Sequence, residues 1–183
     1  MNLTGQIIVS MPSLEDERFY KTVIYICAHS SEGSMGIIIN KKIDYDLYPD
    51  LLQQLGIDKP LNNKKLFIRY GGPVESGRGF VLHSDDMVRK ETLNIDKGVA
   101  LTSTAEFFDD LSKGKGPKNC ILALGYAGWQ PGQLESEIMR NSWMSLSVDN
   151  SFLFDDEVSR KWSQAYKLMG IDPNSLSFES GHA

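Results

Sequence analysis

Short apolar runs separated by turn residues dominate this chain. Gln6–Ser10 is one such run, and Pro12 stops it. Thr22–Ala28, TVIYICA, is rich in β-branched and aromatic residues and reads as a central strand. After the turn cluster His29–Ser34, Met35–Asn40 reads as its antiparallel hairpin partner. Leu66–Tyr70 is a further strand, broken by Gly71-Gly72-Pro73, and Arg78–His83 resumes extended structure. Glu91–Ile95 and Val99–Thr102 form another hairpin, turned at Asp96-Lys97-Gly98, and Asn119–Leu124 is a buried strand.

Helical periodicity is confined to a few places. Ser13–Tyr20 reads as a helical turn. Leu47, Leu51, Leu52 and Leu55 fall at helical spacing, with Pro49 in the first turn and Gly56 past the end. Ser103 and Glu106 have capping-box spacing before Phe107, Phe108 and Leu111. Val158, Trp162, Ala165, Tyr166 and Met169 define a last helix that stops at Gly170. Strands arrive in hairpins with few helices between them. That predicts an α+β fold: a single domain over 1–183 with a mixed, mostly antiparallel sheet flanked by helices. Residues 172–183 are expected to be a loose tail.

The stretch Leu122–Trp143, LALGYAGWQPGQLESEIMRNSW, concentrates the most chemistry. It reads as strand, glycine-rich aromatic turn, and a helix over 131–143 started by Pro131. Helix N–H groups left free at that start would suit an anion docked at the turn. With Leu134 set at zero, about 100° per residue puts Glu135 in the middle of the arc that also holds Ile138 and Met139. Gln133, Glu137 and Arg140 fall on the opposite, solvent side, with Glu137 and Arg140 as an ordinary exposed pair. A carboxylate at Glu135 is therefore expected to be partnered, protonated or lining a cleft. Arg78, between Gly77 and Gly79, is the partner to look for, or else the group that meets an anionic ligand. Tyr126 and Trp129 read first as packing or interface aromatics. With Asn40, Gly71, Gly72, His83 and Gln133, these residues make up the candidate ligand-binding set. For Asn40 a turn cap is the competing role, and for His83 a hydrogen-bonded structural one.

Net charge is −5 over 183 residues, so phosphate contacts by clustered lysines and arginines are not expected to dominate any affinity. Lys64, Lys65 and Arg69, like Lys113, Lys115 and Lys118, read as solvated loop charge. No stretch has the length of a membrane span, and the N-terminus lacks a basic signal-peptide region. Cys27 and Cys120 sit in apolar runs and read as reduced thiols, which points to the cytoplasm. Cys27, His29 and His83 lack metal-ligand spacing, so no metal or cofactor is expected. Ser30 and Ser103 lack a nucleophile-elbow context.

Taken together, Met11-Pro12, YICAHSSEGSMGIIINK at 25–41, GGPVESGRGFVLH at 71–83, LTST at 101–104 and LGYAGWQPGQLESEI at 124–138 carry a resemblance. Asn141, Trp143 and the closing Gly181-His182-Ala183 belong to it. The chain resembles the YqgE/AlgH family of bacterial proteins along nearly its whole length. The resemblance implies an α+β arrangement with a barrel-like sheet surrounded by helices. It also carries a link to transcriptional regulation of exopolysaccharide production, without catalytic residues, cofactor or DNA-binding motif. Where relatives commonly have Asn-Lys-Pro or Asn-Arg-Pro, this chain has Asn40-Lys41-Lys42, and loss of the proline is expected to loosen that turn.

Three functions follow in order of expectation. The first is a non-enzymatic regulatory or interaction protein with a protein partner. The second is a protein or enzyme that takes a small anionic ligand in a cleft near Arg78, Tyr126 and Glu135. The third is direct DNA binding, disfavoured by charge and by the absence of a helix-turn-helix pattern.

Overall fold

The structure, a computed structural model, describes residues 2–43, 50, 53 and 68–176. Leu47, Leu51, Leu52 and Leu55 of the expected helix, Lys64 and Lys65, and the last part of the expected tail lie outside the described residues.

Among the described residues nine strands form one open sheet. They are β1 (Ile7–Ser10), β2 (Val23–Ser30), β3 (Gly33–Ile38), β4 (Ile68–Tyr70), β5 (Val74–Ser84), β6 (Leu93–Asp96), β7 (Val99–Thr102), β8 (Cys120–Trp129) and β9 (Trp143–Leu146). Eight run in the order β6-β7-β5-β8-β3-β2-β1-β9, and β4 pairs with β8 off this path. The β4–β8 pair is parallel and the other described pairs are antiparallel. This is the mixed, mostly antiparallel α+β fold expected. Among the described residues the sheet does not close, since β6 and β9 each end it with a single neighbour.

The central strand β8 serves both halves of the sheet. Its first half pairs with β5 and β4, its second half with β3. Simple alternation would hold all odd positions on one face, yet it does not survive Gly125. Before it, Ile121 and Ala123 join the main core with Tyr25, Ile37 and Phe80. After it, Ala127 and Trp129 face the other way, with Ile24, Ile26 and Ile38. Tyr126 takes over on the first side. The left-handed backbone of Gly125, φ 69°, makes this change of parity. A Cβ there would lie 2.4 Å from the Gly72 carbonyl oxygen.

Among the described residues the helices are α1 (Ala105–Ser112), α2 (Gln133–Met139), α3 (Asn150–Phe154) and α4 (Lys161–Leu168). The main core lies between one sheet face and α3 and α4, which add Leu153, Trp162, Ala165 and Tyr166. Trp162 and Tyr166 both donate to the Ser10 carbonyl, at 2.9 and 3.1 Å, pinning α4 to β1. On the opposite face Phe107, Phe108 and Leu111 of α1 cover Val81, Leu122 and Leu124, and Leu134 of α2 covers Ile24 and Ile38.

Several local expectations change. Thr104, not Ser103, caps α1, accepting from the Phe107 amide. Ser103 instead donates to the Gly79 carbonyl at 2.6 Å. The last helix begins as a 3-10 turn at Val158–Arg160 and becomes α-helical from Lys161. Arg69, read as solvated loop charge, is 2% exposed. It lies on β4, which β8 covers on one side and the Lys41–Ile43 backbone on the other.

Candidate functional site

Two glycine-lined chain segments cross at the middle of β8. The Gly71 amide donates to the Leu124 carbonyl at 2.7 Å. A Cβ on Gly71 would stand 2.2 Å from the Gly125 oxygen, and one on Gly72 would stand 2.1 Å from the Tyr126 carbonyl carbon. Both glycines are there so that two backbones can touch. Beyond them Val74 pairs with Tyr126, and regular pairing resumes only at Gly79 with Leu124. The intervening residues form an exposed arm in which Glu75 adopts φ 48°.

Arg78 belongs to this arm. It donates to Glu75 and to the Ser103 hydroxyl, both at 3.1 Å, and lies over the Phe80 ring. The expected pairing with Glu135 does not form. Phe80 belongs to the main core on one face of the sheet, whereas α2, which carries Glu135, packs on the other.

The aromatic turn and α2 differ from the expected helix over 131–143. Pro131 and Gly132 form a turn, Gly132 at φ 74°, and the helix starts only at Gln133. Asn141, at φ 57°, lies just past its end, and Trp143 opens β9. The Gln133 side chain accepts from the Gln130 amide at 2.9 Å and donates to Glu137 at 2.8 Å. Glu137 is therefore not a solvent-facing partner of Arg140. One of its oxygens accepts from both indoles, Trp129 at 2.9 Å and Trp143 at 2.8 Å. Angular position along an isolated helix misplaces it because β8 and β9 flank α2 and bring an indole each to that side.

Glu135 is 38% exposed rather than buried in the apolar arc. Its Oε1 lies 3.3 Å from Nε2 of His29, whose ring is 4% exposed. The other ring nitrogen of His29 lies 3.1 Å from the Ser34 hydroxyl. The Glu135 carboxylate accepts from Nε2, and Nδ1 faces the Ser34 hydroxyl. Ser34, His29 and Glu135 thus form a chain in the order hydroxyl, imidazole, carboxylate. Composition does not flag Ser34. The hairpin register does, because His29 sits directly opposite Ser34 across the two-residue turn Ser31-Glu32.

The remaining candidates are held by internal bonds. The Asn40 side chain accepts from the Val23 amide at 2.8 Å and donates to the Lys21 carbonyl at 2.9 Å, fastening the start of β2. His83 is fully buried, against Phe107. Its Nδ1 donates to the Ser84 carbonyl and its Nε2 accepts from Thr102, which in turn accepts from Thr92. Burial lowers the His83 pKa below its ordinary value, and this partner set fits the neutral ring. Cys27 is buried, which pushes its thiol pKa far up, so it is no activated nucleophile. Among the described residues no three His, Cys, Asp or Glu side chains converge as a metal site. Among the same residues no helix is long and apolar enough to cross a membrane.

An open mixed sheet whose central strand is crossed by a Gly-Gly-Pro segment, with a short helix sealed by two indoles on one carboxylate, defines the structural class. The sequence pattern of the AlgH-like family matches residues 7–174, and the chain belongs to that family. A UPF0301 protein of Rhodopseudomonas palustris (strain BisB18) is 50% identical, covering 99% of this chain and 89% of the relative. One from Nitrobacter hamburgensis is 50% identical over 99% of this chain and 88% of the relative. The solution structure of the AlgH protein from Pseudomonas aeruginosa superposes with a TM-score of 0.79 at 32% identity, covering 100% of this chain and 97% of that one. A crystal structure of a Corynebacterium diphtheriae protein shares the fold, with a TM-score of 0.70 at 19% identity over 92% and 87% of the two chains.

Proposed function

We propose that the protein is a non-enzymatic regulatory protein that acts through contact with a protein partner. The observation that supports this is the apolar strip beside the exposed arm of β5. Val74 is 36% exposed and packs beside the half-buried Tyr126 ring. Gly128 supplies no side chain to cover them, and half-buried Met35 pairs opposite it. Glu75 and Arg78, each about half exposed, stand at the rim as an ion pair. An apolar centre within a charged rim is how protein interfaces are built. By contrast, Asn40, His83 and Glu137 are engaged in holding the fold. The cytoplasm is the setting that fits cysteines that form no disulfide, and the family's regulatory link fits a partner in a regulatory system. Direct binding of DNA is disfavoured by the net charge of −5.

Native mass spectrometry of the protein purified from its own host tests this. The expected result is a protein adduct on the wild type that Val74→Asp lacks at unchanged melting temperature. A wild type that carries only a small-molecule adduct would refute it.

A second reading rests on the Ser34–His29–Glu135 chain, whose order suits activation of a hydroxyl or capture of a small polar ligand. It replaces the cleft expected between Arg78 and Glu135, because those two lie on opposite faces. Ser34→Ala or Glu135→Gln abolishing a saturable ligand-induced thermal shift would favour it.

A further inference from the structure

Two cations outside the candidate site are buried. Arg69 on β4 is 2% exposed and Lys161 at the start of α4 is fully buried. Each is satisfied mainly by a backbone oxygen: Arg69 Nη1 donates to the Ile39 carbonyl at 2.7 Å, and Lys161 Nζ donates to the Phe152 carbonyl. Among the described residues the buried Nε of Arg69 has no hydrogen-bond partner. An unsatisfied buried donor on a charged group is costly, and guanidinium groups present their donors as a fork matched to oxyanions. The two side chains also repel: the Arg69 charge, after burial, helps to depress the Lys161 pKa to about 8.

The compensating carboxylates come from one turn. Asp156 Oδ1 is 3.5 Å from Arg69 Nη2 and is itself 81% exposed, so it screens weakly. Asp155 already accepts from the Glu157 amide.

We propose that Arg69 and Lys161 form a binding site for a small oxyanion, a phosphate or carboxylate group, for which the Asp156 carboxylate stands in when the site is free. The bound group takes the open Arg69 Nε and the Lys161 ammonium together, and the Asp155-Asp156 turn moves aside. This site is independent of the apolar strip at Val74.

The test is isothermal titration of the full chain with inorganic phosphate, and separately with acetate, at constant ionic strength. Saturable binding of one of them, lost in both Arg69→Met and Lys161→Met, is the expected result, and the arm that saturates identifies the group. Asp156→Asn removes the competing carboxylate from an exposed position. It is expected to tighten binding on the order of twofold to fivefold with folding unchanged, so the test stands even where Arg69→Met fails to fold. No saturation by either anion in wild type and Asp156→Asn, or binding that Asp156→Asn weakens, would overturn the proposal.

Discussion

The indoles of Trp129 and Trp143 meet edge to face, with ring centroids 6.2 Å apart, and both donate to one oxygen of Glu137. The two residues end β8 and open β9, so this contact closes the chain reversal around α2. A charged acceptor shared by two buried donors is the strong form of a hydrogen bond.

Glu137→Gln is therefore expected to destabilise the fold by about 1–3 kcal/mol. Glu135→Gln, at a half-exposed position beside His29, is expected to stay within about 1 kcal/mol. Urea unfolding monitored by tryptophan fluorescence separates them. Equal effects, or the reverse order, would contradict the assignment of Glu137 as the structural carboxylate.

The crossing of the two glycine segments leaves no room for a methyl group. Gly72→Ala must displace backbone atoms at 2.1 Å from a conformation with φ 151°, and a loss of more than about 2 kcal/mol is expected. Gly77→Ala, in the exposed arm with nothing within 4 Å of its added Cβ, is expected to be neutral. Melting temperatures of the pair provide the check.

Acid sensitivity follows from His83. Its folded pKa is depressed, mainly by burial, so below an unfolded value of about 6.5 the unfolded chain binds the proton more readily. Stability is complete above that pH and falls as the pH drops through it. Denaturation midpoints between pH 7 and pH 5 should decline in the wild type, and less steeply in a His83→Gln variant that keeps the Thr102 contact.

Lys161 acts at the alkaline end. Its folded pKa of about 8 lies below the ordinary lysine value, first because of burial. Between about 8 and about 10.4 the unfolded chain holds more protons at this lysine, so its contribution to stability rises with pH across that window, while the buried Cys27 thiol, its pKa pushed up, acts in the opposite direction. The difference in unfolding free energy between wild type and Lys161→Met is therefore expected to rise across the window. A difference that stays flat or falls would show that Lys161 is not held as a buried cation.

The fold was largely legible because its strands are short, β-branched and set off by glycine and proline. Thr22–Ala28 lies in a strand except for Thr22, and Arg78–His83 and Val99–Thr102 lie in strands throughout. What escaped was decided by tertiary neighbours. Glu135 and Glu137 exchange roles because their environment comes from Trp129, Trp143 and His29, on three strands that an isolated helix cannot represent. Trp143 was read as helical because the left-handed turn at Asn141 leaves no apolar signature. The Ser34–His29 contact needs the exact hairpin register, which follows only once the turn is fixed at Ser31-Glu32. Arg69 was read as solvated because nothing in a Lys-rich segment announces a strand covered on both sides.

The most direct test of the proposed role compares wild type and Val74→Asp for binding of the host protein that co-purifies with the wild type. Binding weakened at least about tenfold, roughly 1.4 kcal/mol, with melting temperature preserved and with Ser34→Ala and Glu135→Gln unaffected, is the predicted result. Full retention of the partner by Val74→Asp, or its loss only in Ser34→Ala and Glu135→Gln, would contradict it.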